Sequence, residues 1–320
     1  MKKVSPILLI TLSNIGDAVL TTPVLYILCR EFPKAAVDVM CGPRVKEIFS
    51  SISQVRRVIP YNKFDSFKDR VKLILSLRRR YDLVVDLRHT LIPLLIGSRN
   101  RTALWRRKSG ERAYMKDVHL ARLKQLGINT ENADFLIEIT DKDEKIAGNL
   151  LGPFKIEETL IAMAPGALSE VKRWPAGRFK ETAEKLANEL NAHIVLVGDK
   201  DDCRIADEIA RGLPQKILNL CGKTSLMQLA AILRKTRLLI TNDSAPMHLA
   251  TAQKVPVISL FGPTNSIKYG PRGEHDRIIK KEIGCVPCEK AQCRFDNECL
   301  RSIESEEVVK AAAGILQAIK

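Results

Sequence analysis

Short apolar runs of strand length alternate with stretches whose apolar residues recur every three or four positions, and the alternation passes through the chain twice. In the first half, Ile7–Thr11, Ala36–Met40, Val55–Ile59 and Leu83–Leu87 read as strands, with helical patterns at Ala18–Glu31, Val45–Ser51 and Phe64–Arg79 between them. In the second half the strands are Leu160–Ala164, His193–Val197, Ile217–Leu220, Leu238–Thr241 and Val255–Leu260. The helices between those are Ala176–Leu190, Asp201–Arg211, Ser225–Leu233 and Ala245–Ala252, and Glu306–Ile319 closes the chain as a helix with an alanine-rich face. Such repeated alternation predicts an α/β protein with mostly parallel sheets and helices on both faces. A boundary is expected near residues 145–158, where Gly148, Gly152 and Pro153 stand among charges, giving domains of 1–152 and 153–302 ahead of a last segment, 303–320. Two Rossmann-like halves facing across a cleft would line it with strand ends, a favoured place for ligands.

The segment at residues 240–273 is the most informative. An apolar run ending at Ile240 meets a polar turn, and Asp243, Ser244 and Pro246 follow as helix-starting residues. A β-branched strand and a Gly-Pro loop come next. In open α/β sheets ligands bind at such strand ends, and a helix start offers free N–H groups and a positive dipole end to a phosphate. The turn has neither a Gly-x-Gly-x-x-Gly run nor a P-loop, so the usual mononucleotide folds are not indicated.

Charge narrows the partners. The 320 residues carry 52 Lys and Arg against 37 Asp and Glu, a formal net charge of +15. A surface of that kind attracts nucleic acid, an anionic membrane or a phosphorylated substrate. Aromatic residues are only 5% of the chain, which argues against stacking on single-stranded nucleic acid. No apolar stretch is long enough to span a bilayer. The start imitates a secretory signal, but Asn14 and Asp17 interrupt the apolar run and no small-x-small cleavage site follows. A cytoplasmic protein with mostly reduced cysteines is the expectation.

Several residues stand where chemistry would need them. Asp17, in SNIGDAVLTTP, follows the first strand as a helix begins. It reads either as a first-turn aspartate favoured by the helix dipole or as a general base. In APGALSEVKRWP, Lys172 reads either as a solvated lysine or as a charge that offsets a diphosphate leaving group. The acidic group from Asp199 to Asp202 reads as an ordinary helix start or as a holder of ribose hydroxyls. Asp243 and Ser244 read as caps, or as a sugar contact and part of a phosphate cradle; His248 lies one turn further along the same helix.

Taken together and in order, SNIGDAVLTTP, the PG…KRWP loop, NDSAPMHLA and FGPTNSIKYGP resemble glycosyltransferase family nine, the bacterial ADP-heptose:lipopolysaccharide heptosyltransferases. The resemblance spans nearly the whole chain. It implies a GT-B fold whose last helix crosses back to the first domain. It implies inverting transfer of L-glycero-D-manno-heptose from ADP-heptose to a hydroxyl of the lipopolysaccharide inner core. Carried over by motif, Asp17 would be the base and Lys172 would offset charge on departing ADP. Asp202 would sit near the ribose and Thr224 near the adenine. Asp243 would hold the heptose, and Ser244, Ala245 and His248 would surround the diphosphate. Ala245 stands where the family usually has glycine, so an added methyl would narrow that site. No catalytic metal or other cofactor is implied.

The basic residues around Arg99, Arg101 and Arg106 then read as a contact for a phosphorylated, lipid-linked acceptor and for the anionic cytoplasmic leaflet of the inner membrane, or as a solvated face. Cys285, Cys288, Cys293 and Cys299 form C-x₂-C-x₄-C-x₅-C, which leaves structural zinc and packed or redox-sensitive thiols both open. Two other functions remain as alternatives. One is a related nucleotide-sugar transferase or epimerase with a different sugar. The other is a basic nucleic-acid-binding protein with a cysteine-rich zinc module.

Overall fold

The computed structural model describes residues 5–104, 113–152, 154, 159–212 and 216–319. Its contacts divide the chain into two units, Met1–Glu138 and Ile139–Lys320. The first contains β1 (Ile7–Ile10), α1 (Ile15–Glu31), β2 (Val37–Cys41), α2 (Lys46–Ser50), β3 (Val55–Pro60), α3 (Phe67–Ser76), β4 (Leu83–Asp86), α4 (Ile92–Leu95), β5 (Asn100–Arg101) and α5 (Met115–Lys124). Its strands form one parallel sheet in the order β3-β2-β1-β4-β5. Every residue of β1 is buried, as befits a parallel strand covered on both faces. One face carries Leu8, Ile10, Met40, Ile59 and Val84 against Leu77 after α3 and Ile92 and Ile96 around α4.

Helix α1 explains part of the first motif by packing alone. Pro23 lies inside it and has no N–H for the carbonyl of Val19 one turn back. The Thr22 hydroxyl donates to that carbonyl at 2.9 Å, so the orphaned acceptor is met locally. Thr21 Oγ1 donates to Ala18 O and lies 2.5 Å from Thr11 Oγ1, just past the end of β1. The Thr-Thr-Pro run therefore fixes the helix against the strand and thereby the place of Asp17.

At the other end of this sheet, Asp38 of β2 is wholly buried. Arg56 donates two hydrogen bonds to it at 2.8 Å, Arg57 one at 2.9 Å and the Tyr81 hydroxyl one at 2.7 Å. Burial pushes the Asp38 carboxyl up, but the bonds from Arg56 and Tyr81 and both arginine charges outweigh it and hold the carboxyl below its ordinary value.

The second unit contains α6 (Asp141–Leu150), β6 (Leu160–Ala164), α7 (Ala176–Glu189), β7 (His193–Leu196), α8 (Cys203–Ala210), β8 (Ile217–Asn219), α9 (Leu226–Arg234), β9 (Leu238–Asn242), α10 (Ala245–Ala252), β10 (Val257–Phe261), α11 (Ser266–Tyr269), β11 (Arg277–Lys280), α12 (Glu298–Arg301) and α13 (Ser305–Ala318). Its sheet is also parallel, in the order β11-β10-β9-β6-β7-β8. Ile161, Met163, Ile194, Leu196, Leu238 and Ile240 share a core with residues of α7, α8 and α13. The division falls earlier than the Gly/Pro cluster suggests, because α6 joins the second unit. Glu144 on α6 pairs with Arg234 and, at 2.9 Å, with Lys235 at the end of α9. The last helix also belongs to this unit, where Val308, Val309, Ala312 and Ile315 enter the core. The strands and helices read from the sequence agree with the structure to within three residues at each end, but α5, α6 and β11 have no counterpart among them. Short elements such as α4, β5, α11 and α12 escape the pattern because they span too few residues to show a period.

The Asp38 cluster makes a pH-dependent prediction. A carboxyl held low in the folded state contributes stability that is complete above the ordinary Asp value of about 3.9 and is lost as pH falls through the lowered folded value. Urea unfolding should show Asp38→Asn clearly destabilised at pH 7, with the gap to the parent chain closing in strong acid. An equal gap at both pH values would mean that Asp38 acts through packing, not charge.

Candidate active site

In each unit the strand order reverses beside the first strand, between β1 and β4 and between β6 and β9. In open α/β sheets the loops leaving strands paired in this way part and leave a crevice at the carboxyl ends. The sequence-predicted residues fall largely at these two places.

In the second unit the loop after β6 and the turn after β9 are clamped by one side chain. Asn242, the last residue of β9, is fully buried. Its Nδ2 donates to Pro165 O at 2.8 Å and lies 3.4 Å from Gly166 O; its Oδ1 accepts the Trp174 N–H at 2.9 Å. Trp174 is buried edge-on to Phe179, and its Nε1 donates to Ile303 O at 3.1 Å. The loop from Pro165 to Trp174 is thus pinned at both ends. On its span, in a short 3₁₀ turn, Lys172 Nζ donates to Asp243 Oδ2 at 2.8 Å. Asp243 is buried while Lys172 keeps about a third of its side-chain surface exposed, 31%. The pair therefore holds a lysine charge beside the start of α10, facing solvent on one side.

Helix α10 begins at Ala245, with Ser244 as an extended N-cap whose hydroxyl lies 3.1 Å from Thr241 Oγ1. That hydroxyl does not cap the helix, so N–H groups of the first turn are left for a ligand or water. Ala245 is the first residue of an ordinary helical turn and has no positive φ, so the alanine carries no backbone strain. His248 is buried on the same helix.

Asp202 is brought into this neighbourhood. Its carboxyl accepts the Asp199 N–H at 3.1 Å and lies 3.9 Å from Arg173 Nη2. A Cβ added to Gly166 would come within 2.0 Å of that carboxyl, which is why the loop has glycine there. Burial, and then the Asp199 charge, push the Asp202 carboxyl up. Thr224 lies further out, half-buried in the turn between β8 and α9. The sequence reading assigned no role to Asn242 or Arg173; a polar residue closing an otherwise apolar strand run is the signal that marks Asn242.

In the first unit Asp17 stands in the first turn of α1, at the carboxyl end of β1, and accepts a hydrogen bond from Asn14 Nδ2 at 3.1 Å. Across the reversal, Asp86 ends β4. Its buried carboxylate accepts N–H groups of Arg88 at 2.8 Å and Thr90 at 2.6 Å, and the Thr90 hydroxyl at 2.9 Å. This latch holds a tight loop in which His89 has a left-handed φ of 57°. The Arg88 guanidinium sits 5.4 Å from the Tyr61 ring centroid, and no carboxylate pairs with it among the described residues. Arg88 is the cation at this reversal that the sequence reading passed over.

The basic cluster divides. Arg101 is paired in register with Val84, near the start of β4, and donates to Ser98 O. Arg99 precedes it, so both lie toward the opposite end of the sheet from Asp17. Arg122 is buried, donates to Asp86 O at 3.3 Å and also to Ala103 O, and burial pulls its pKa down. Arg106 lies outside the described residues.

Of the four late cysteines, Cys299 is buried, Cys285 and Cys288 are half-buried and Cys293 is exposed. Cys293 Sγ accepts N–H groups of Phe295 at 3.4 Å and Asn297 at 3.3 Å. Cys299 packs in the core, close enough to Gly262 that an added Cβ would meet its sulfur at 3.1 Å, and burial pushes its thiol up. Among the described residues no group of three or more His, Cys, Asp or Glu is arranged to hold a metal ion.

The chain is similar to proteins of one family. The family described as "Glycosyltransferase family 9 (heptosyltransferase)" matches residues 70–298. Lipopolysaccharide heptosyltransferase 3 of Escherichia coli K12 is 29% identical over 94% of this chain and 95% of its own. The crystal structure of a family 9 glycosyl transferase from Veillonella parvula superposes with a TM-score of 0.85 at 26% identity, covering 98% of this chain and 97% of that one. ADP-heptose lipopolysaccharide heptosyltransferase II of E. coli superposes with a TM-score of 0.80 at 24% identity, covering 98% and 100%.

The Asn242 clamp gives the prediction here. Asn242→Leu leaves Pro165 O and the Trp174 N–H buried without partners, at about 1–3 kcal/mol each. Urea unfolding should show a loss of about 2–6 kcal/mol. An unchanged midpoint would mean that the two loops are held by other contacts.

Proposed function

The chain belongs to glycosyltransferase family 9 and is a glycosyltransferase with two parallel-sheet units of the GT-B type; from that premise we propose that it moves a heptose from ADP-heptose to a hydroxyl of the lipopolysaccharide inner core, inverting the anomeric centre. The observation that carries the reading is the junction of the β6 and β9 loops. There the Lys172–Asp243 pair and the open first turn of α10 stand together at one strand reversal.

A diphosphate at this place meets a lysine charge and backbone N–H groups at a helix start, both suited to an anion. Lys172 turns from Asp243 to the phosphate oxygens as charge builds on departing ADP, and Asp243 is released to accept sugar hydroxyls. Asp202 and Thr224 serve the nucleoside; Ser244, Ala245 and His248 surround the diphosphate. In the first unit the Asp17 carboxylate takes the proton of the acceptor hydroxyl. The acceptor oxygen bonds to the anomeric carbon from the face opposite ADP, and the bond from that carbon to the phosphate oxygen breaks, its electron pair leaving with ADP. Arg88 is the group that meets an acidic or phosphorylated acceptor. That acceptor is lipid-linked, so the enzyme works at a membrane surface on the cytoplasmic side.

Transfer assays with ADP-heptose and inner-core acceptors lacking successive heptoses test the reading directly. Asp17→Asn should slow transfer by about 10²–10⁴-fold while ADP binding, measured by calorimetry, stays unchanged. Turnover near the parent rate would remove Asp17 from the role of base. Lys172→Ala should weaken donor binding and slow transfer together, by about 2.7–4 kcal/mol in the barrier. A normal rate would show that the leaving-group charge is met elsewhere.

A further inference from the structure

Of the ten large apolar side chains exposed among the described residues, six lie between Phe64 and Leu95: Phe64, Phe67, Leu75, Leu91, Leu94 and Leu95. They sit on or just before α3 and α4. Those helices pack the half-buried Leu73 and Ile74 and the buried Ile92 against the same face of the first sheet. The other side of both helices is therefore turned to solvent, and α3 has no buried residue at all. Phe64 is 83% exposed and Phe67 74%. The Phe64 ring meets only a cation among the ring contacts, Lys63 Nζ at 4.9 Å from its centroid.

Concentrated exposure of this kind marks an interaction surface, and its charge says of what sort. Lys63, Lys68 and Lys72 are exposed around the two phenylalanines. The nearby acids are Asp65 and Asp69, and Asp69 is engaged in the cap of α3 through Ser66, whose hydroxyl donates to it at 2.6 Å. Aromatic and aliphatic side chains interleaved with lysines on a short helix suit the boundary between headgroups and acyl chains. No helix among the described residues is long and apolar enough to cross a membrane. The place in the fold fits as well. The segment from Tyr61 to Ser66 leaves the carboxyl end of β3, and Leu91 directly follows the Asp86-latched loop that carries Arg88.

We propose that the solvent face of α3 and α4, with the loop leading into α3, docks on a bilayer containing anionic lipids, with Phe64 and Phe67 entering the interface. Its placing beside Arg88 rests on the reading that the acceptor is lipid-linked; the docking itself does not. A lipid-linked acceptor then meets the first unit where its head group leaves the membrane.

The test uses the full chain and vesicles of phosphatidylcholine with or without phosphatidylglycerol. The parent chain should sediment with the anionic vesicles, weaken with added salt and bind the neutral ones poorly. The double variant Phe64→Ser/Phe67→Ser should bind at least tenfold more weakly, as should Lys68→Glu/Lys72→Glu, with unfolding curves that match the parent. On a delipidated, water-soluble acceptor the phenylalanine variant should keep the parent rate. Equal vesicle binding by the parent and both variants would overturn the proposal, and so would a parent chain that ignores both kinds of vesicle, which would give the face to a protein partner. A parent chain that binds vesicles through this face yet transfers heptose to no acceptor would leave the docking intact and refute the proposed reaction instead.

Discussion

The buried amide of Asn242 is the interaction on which the second unit's site depends. It occupies the end of a strand, where a side chain ordinarily has nothing polar to meet, and it satisfies both a carbonyl and an N–H of the neighbouring strand's loop. A low-dielectric setting makes those bonds costly to lose. Because they exist, the loop that carries Lys172 is fixed relative to the helix start that follows Asp243. Trp174 extends the same anchoring to the segment before the last helix, through its indole N–H and Ile303 O. Charge, helix dipole and loop position are thus set before any ligand arrives, which is the condition under which fixed dipoles act most strongly on a developing charge.

The first unit solves a parallel problem with different residues. There Asp86 plays the organising part, gathering two N–H groups and a hydroxyl from the loop after β4. Arg122, buried beneath, donates to the Asp86 carbonyl. A cation in the basic stretch is thereby structural, and the cation at the strand reversal is the half-buried Arg88. Both Rossmann-like units place candidate residues at the reversal beside the first strand. The units differ in what the loops carry: an acid and an arginine with no carboxylate partner among the described residues in one, a lysine–aspartate pair and an open helix turn in the other.

Much of this was legible in the sequence, for physical reasons. Parallel strands buried on both faces leave long apolar runs, so β1, β6 and β9 stand out, and the Asp-Ser-Ala-Pro start of α10 announces itself by helix-start chemistry. Asp17, Lys172 and Asp243 follow from being polar at strand ends. The proposed acceptor contacts were less legible. Arg99 and Arg101 are close in sequence to the loop after β4, but β5 turns them toward the start of that strand. A run of positive charge does not reveal which of its members are buried, as Arg122 shows. Asn242 was hidden for a related reason: its importance lies in backbone groups it meets far along the chain. The Thr-Thr-Pro portion of the first motif reads as a signature in sequence and turns out to repair a proline inside α1.

The central claim is that the β6 and β9 loops of the second unit form the seat of the nucleotide diphosphate. Amide hydrogen exchange of the full chain, with and without saturating ADP, tests it most directly. The account predicts added protection concentrated in residues 165–174 and 242–248, with little change at the Asp38 end of the first sheet. Protection confined to the first unit, or none in those two loops when ADP is bound, would contradict it.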